Sequence, residues 1–167
     1  MFTTLNKIKA HRACEPRYKH LLECLGKTQA DDEPLSIRTI LEHNGVYDAI
    51  WALRAIEGHD KEIRLFACDC AESVLHMFEK HYPNDDRPRK AIDVARKYAN
   101  GEASINELNT ASDAARAAAW GAARAAAWAA AWAAAEAAPR DAAWAAYRVN
   151  RDSLDEKNIR ELLLKYI

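Results

Sequence analysis

The chain has 167 residues, 24 Lys plus Arg, 25 Asp plus Glu and a formal net charge of −1; its length is that of one domain. That balance argues against a chain built to coat nucleic acid or to lie on an anionic membrane. Apolar residues make up 50 %, but 35 residues are Ala and only 31 are Leu, Ile, Val or Phe. A compact fold must then come from close helix packing rather than from large side chains.

Helix signals dominate and strand signals are almost absent. The spacing predicts a helix over residues 4–14 and a second over 16–25, closed by Gly26. Residues 27–33 read as a polar loop. Ser36 caps a short helix through Glu42, and Asn44-Gly45 ends it. Residues 47–56 form the next helix, with Tyr47, Ile50, Trp51 and Ile56 as its core set, and Gly58 ends it.

Residues 60–82 carry the best amphipathic pattern. At about 100° per residue, Ile63, Phe66, Ala67, Cys70, Val74, Met77, Phe78 and His81 share one face. Glu62, Asp69, Glu72, His76 and Glu79 share the opposite one. Asp85, Asp86, Arg87 and Pro88 open a further helix, with carboxylates at its positive end and Pro in its first turn. It runs to Asn100-Gly101 and buries Ile92, Ala95 and Tyr98 or their neighbours. Ser104 and Glu107 form a capping box. The helix they open is predicted to run to Ala138, where Pro139 kinks it or starts another that ends near Asn150. Ser153 and Glu156 form a second capping box. It opens a last helix with Ile159, Leu162, Leu163 and Tyr166 on its apolar side.

Residues 111–147 hold 23 Ala in 37 positions, and Ala is the best helix former. The heptapeptide AARAAAW occurs at 114–120 and again at 122–128. Large residues keep a four-residue step through Trp120, Arg124, Trp128, Trp132, Glu136, Arg140 and Trp144. Each step drifts about 40°, so the indoles form a slanted ridge flanked by a wide Ala face. The ridge reads as the packing surface of a central helix. A sticky partner face, or aromatic walls for a planar ligand, is the functional alternative, with Arg124 beside the indoles for stacking.

The longest strongly apolar run, residues 125–135, is bounded by Arg124 and Glu136 and rises only about 16 Å as a helix, about half of a bilayer core, so a spanning helix is not expected. No apolar signal segment follows Met1, so a cytoplasmic protein with reduced Cys14, Cys24, Cys68 and Cys70 is expected. Cys68, Cys70, His76 and His81 suggest a metal only briefly. The two Cys lie about 200° apart on a helix and the two His about 140° apart, so no metal or other cofactor is expected. Cys14, Glu15 and His11 or His20 supply a thiol, a carboxylate and a base, without an oxyanion-hole signature. There is no phosphate-cradling glycine loop, no G-x-S-x-G and no H-E-x-x-H. The acidic face and the mixed-charge turn after it are candidate binding surfaces: Asp69, Glu72, His76, Glu79, Asp85 and Asp86, with Arg87 or Arg89 able to grip a carboxylate or phosphate. Arg124 and Trp128 complete the candidate set.

Residues 63–72, 82–92 and 95–101, followed by the Ala/Trp tract, resemble the alanine-rich "putative immunity protein" family of bacterial toxin–immunity loci, also carried by phages and prophages. The resemblance covers roughly residues 50–167. Members commonly place Tyr in the ladder where this chain has Trp. The resemblance implies an immunity or counter-defence role and carries no catalytic residues to transfer.

The expected fold is a single all-α domain over 1–167, a bundle of seven or eight helices around the Ala/Trp-rich helix. Within it lie N-terminal helices (1–58), an amphipathic pair (59–101), the Ala/Trp-rich helix (102–150) and a C-terminal helix (151–167). The expected function is a non-enzymatic inhibitor that binds a protein toxin or immune effector, as a monomer or homo-oligomer. The alternative is a protein that binds or sequesters a nucleotide-type small molecule.

Overall fold

A computed structural model of the chain describes residues 1–119 and 156–167. The predicted course of the Ala/Trp tract past residue 119, with Arg124, Trp128, Pro139 and the Ser153 capping box, lies outside the described residues. What is described is helical: α1 (Leu5–Ala10), α2 (Glu15–Cys24), α3 (Ile37–Ala52), a 3-10 turn (Leu53–Ala55), α4 (Asp60–Glu79), α5 (Arg87–Ala99), α6 (Ile105–Ala119) and α7 (Glu156–Leu164). The all-α class expected from the sequence is borne out. One small addition is an antiparallel pair, β1 (Phe2–Thr3) and β2 (Leu35–Ser36), with Phe2 opposite Ser36 and Thr3 opposite Leu35. Two-residue strands are too short to write a period-two pattern into a sequence.

The chain divides into two compact units, residues 1–59 with 163–167 and residues 60–162. In the first, Thr4 caps α1 by accepting from the Lys7 N–H at 3.1 Å. The helix stops at Ala10, not at Cys14, because Arg12 takes a left-handed backbone (φ 60°). Ser36 caps α3, accepting from the Thr39 N–H at 3.0 Å. The two helices expected over 36–42 and 47–56 are separated where the sequence places the end of the first: the stretch Ile37–Ala52, taken together as α3, is two helical segments that meet at a break at Gly45 (φ 83°, ψ 178°). Only glycine adopts that backbone readily. Leu5, Ile8, Ile37, Ile40, Leu41, Ile50, Leu53 and Ile56 make the core of this unit. The Thr3 hydroxyl, buried among them, donates to the Ala55 carbonyl at 2.8 Å. Tyr47 and Trp51, expected in the core, are only half-buried.

In the second unit, Ile63, Phe66, Ala67, Cys70, Val74 and Phe78 of α4 are buried as the pattern predicts. Met77 is 40 % exposed and His81 is exposed, which corrects the predicted apolar face. Met77 stands in the last turn and His81 beyond the end of α4. Arg64, Cys68 and Leu75 are buried instead. The buried arc of α4 therefore spans about 200°, wider than the stripe of a surface helix. Helix α5 lies against both α4 and α6. It buries Pro88, Ala91, Ile92 and Ala95, while Tyr98 is half-buried with the Arg64 guanidinium 5.2 Å from its ring centre. The Ser104/Glu107 capping box forms as predicted. Glu107 Oε2 accepts from the Ser104 N–H at 2.7 Å, and Ser104 Oγ accepts from the Glu107 N–H at 3.3 Å.

Candidate partner-binding face

The exposed arc of α4 carries Asp69, Glu72, His76 and Glu79, as their shared helix face predicts. Helix α5 brings cations to them. The Arg96 guanidinium donates through Nη2 to Asp69 Oδ1 at 2.8 Å and to Glu72 Oε2 at 2.5 Å. Arg89 donates through Nε to Glu79 Oε1 at 2.7 Å. The pairs step from Arg89 to Arg96 along α5 while they step from Glu79 back to Glu72 along α4. That is the register of two antiparallel helices whose facing positions repeat every seven residues.

The turn between the helices is tied down as well. Arg87 holds Asp85 in a two-pronged grip, Nε to Oδ1 at 2.8 Å and Nη2 to Oδ2 at 2.6 Å, while its own backbone N–H reaches Asp85 Oδ1 at 3.2 Å. This grip holds the Asp85 carboxyl below the usual carboxylate range. Lys90 pairs with Asp86 at 2.8 Å, one helical turn apart. The face is thus a mixed-charge lattice with its carboxylates already matched. His76 is exposed on it. Arg96 was not among the sequence candidates. The signal that points to it is the seven-residue step it shares with Arg89, matched by Glu72 and Glu79.

Two other sets singled out by the sequence behave differently. Cys68 and Cys70 are both buried despite lying on different sides of α4. Burial pushes the Cys68 thiol up to about 12 and raises that of Cys70 too, so both stay neutral thiols. Among the described residues, no three His, Cys, Asp or Glu side chains are placed to hold a metal ion. The His20 ring lies 3.6 Å from Cys24 Sγ, one turn along α2, so it serves Cys24 and not Cys14.

The first unit holds a second feature that sequence reasoning missed. A pocket of about 40 Å³ opens between α2 and α3, with Cys14, Arg17 and Tyr18 on one side and Asn44, Asp48 and Trp51 on the other. Arg17 Nη1 donates to Asp48 Oδ1 at 2.7 Å, and its guanidinium lies 4.3 Å from the Tyr47 ring centre. These residues are scattered in sequence and form no motif.

No helix among the described residues is long and apolar enough to cross a membrane. Fold and face together define an all-α protein that carries, among the described residues, an array of ion pairs across an antiparallel helix pair. The family model of the Imm-5 like putative immunity protein matches residues 55–158, and the chain belongs to that family. The match contains the whole α4–α5 face and begins after most of the first unit. No curated protein and no solved structure matches the chain.

Proposed function

We propose that the chain is a non-enzymatic cytoplasmic immunity protein that binds a protein toxin or immune effector stoichiometrically and neutralises it through the α4–α5 face. The observation that carries this reading is family membership over residues 55–158, the stretch in which that face is built. The ion pairs of Arg87, Arg89 and Arg96 hold long side chains in place before a partner arrives. Less conformational entropy is then lost on association. A lattice of alternating sign selects partners by matching charge, more than it adds raw affinity.

The nucleotide-binding alternative finds less support. Arg87 and Arg89 are engaged by Asp85 and Glu79. The pocket of the first unit, about 40 Å³, is far below the roughly 300 Å³ at which ligand clefts begin. The test is affinity purification of the tagged chain from its native host, then calorimetric titration against the toxin recovered and rescue of cells from it; recovery of no stoichiometric protein partner overturns the reading. A 1:1 complex is expected, and Arg89→Glu should weaken it on the order of tenfold. A toxin that neither binds nor is neutralised sinks the reading.

A further inference from the structure

We propose that His20 and Cys24 of α2 form a two-ligand site for a thiol-seeking divalent cation of the zinc class. The pair lies outside the family match, which begins at residue 55. It shares no residue with the α4–α5 face, so it stands apart from the immunity reading.

The geometry carries the proposal. Both residues belong to α2, Glu15–Cys24. Four residues turn about 400°, so the two side chains leave the same face of the helix one turn apart. Cys24 Sγ stands 3.6 Å from His20 Nε2 and 4.0 Å from Nδ1. Zn–S bonds of about 2.3 Å and Zn–N bonds of about 2.0–2.1 Å, held at the tetrahedral angle, set sulfur and nitrogen about 3.5–3.6 Å apart. The Nε2–Sγ separation therefore matches the bite of a tetrahedral zinc ion before any ion arrives. His20 is exposed, so its ring is able to turn its Nε2 lone pair onto an ion. Cys24 closes the last turn of α2, which carries no basic residue. The helix end there is partially negative and favours a cation.

The ligand types select the ion. A thiolate with an imidazole suits metals of the zinc class, whereas calcium and magnesium take oxygen ligands. The adjacent Glu23 carboxylate faces Lys19 at 3.9 Å, so the pair remains a nitrogen–sulfur set. On binding, Cys24 gives its thiol proton to solvent and bonds the ion as a thiolate, while neutral His20 bonds it through Nε2. The remaining positions of the tetrahedron are filled by water. Two protein ligands in place of four put the affinity well below that of a closed structural site. The other thiols differ: Cys68 and Cys70 are buried, and exposed Cys14 has Tyr18 one turn on where Cys24 has His20 one turn back.

The experiment adds zinc chloride to the metal-free full chain and follows maleimide labelling of each cysteine by peptide mass spectrometry. Zinc should slow labelling of Cys24 several-fold and leave Cys14 unchanged, while magnesium should protect neither. Cobalt in place of zinc should give the thiolate-to-metal charge-transfer band of a sulfur-bound ion, and Cys24→Ser should abolish it. Loss of even an outer partner of a metal ligand costs about 10–100-fold in affinity, so His20→Gln should raise the zinc needed for protection by about tenfold or more. Circular dichroism should be unchanged in both variants, since both side chains reach the surface. Equal protection of Cys14 and Cys24, protection of Cys24 undiminished in His20→Gln, or no protection of Cys24 in the native chain overturns the proposal.

Discussion

Arg96 of α5 holds Asp69 of α4 at 2.8 Å, and the same nitrogen reaches Glu72. One guanidinium thus clamps two turns of the neighbouring helix. The pair is partly shielded, with the Arg96 side chain 29 % and the Asp69 side chain 19 % exposed, so it lies between a screened surface pair and a desolvated one. Arg96→Ala should destabilise the protein by about 1–2 kcal/mol in urea unfolding. Arg96→Lys should recover part of that, because an ammonium keeps the charge but lacks the planar fork. Equal losses in the two variants would show that the planar fork alone carries the effect, and no loss in Arg96→Ala would show that the clamp does not stabilise the helix pair.

Gly45 tests the break in α3. A Cβ built there meets nothing within 4 Å, so a substitution strains the backbone alone. Gly45→Ala should lower stability by about 1–3 kcal/mol, seen as a lower thermal midpoint. An unchanged midpoint would mean that α3 tolerates a regular helical turn at this position.

The four cysteines should divide into two pairs. Cys14 is exposed and Cys24 partly so, while Cys68 and Cys70 are buried and remain protonated at neutral pH. Ellman's reagent should titrate two thiols quickly in the folded protein and the others only in denaturant. Rapid reaction of all four would contradict the packing of α4.

Asp85 sets an acid dependence. Its folded carboxyl titrates below the ordinary value of about 3.9, chiefly because of the Arg87 side-chain hydrogen bonds. The stabilisation it gives is present above the unfolded value and is lost as the pH falls through the lower folded value. Asp85→Asn should therefore lie below the parent protein in thermal midpoint at pH 7. The two curves should converge as the pH is taken down toward 2. A constant gap at every pH would rule out the carboxylate as its cause.

Much of this was legible in the sequence because it is local. Thr4, Ser36 and the Ser104/Glu107 pair cap helices through partners three residues away, and the 60–79 stretch repeats its apolar residues at helical spacing. The early stop of α1 at Arg12 was not legible, since a left-handed residue other than glycine leaves no compositional mark. Nor was the exposure of Met77, where the end of α4 overrides the helical period. The candidate face was half visible: its carboxylates share a helix stripe, but Arg96 belongs to another helix.

The sequence by itself determined the helical class, most helix starts, the acidic arc of α4 and the family, all of which depend on residues within a few turns of each other. The near-zero net charge was visible there too, but not its arrangement. Only the tertiary structure decided that Asp69, Glu72 and Glu79 are met by Arg96 and Arg89, and that Arg17, Asn44 and Asp48 close a pocket. Those relations join positions 10 to 31 residues apart. They exist only once helices pack, because packing alone sets which faces meet and in what register.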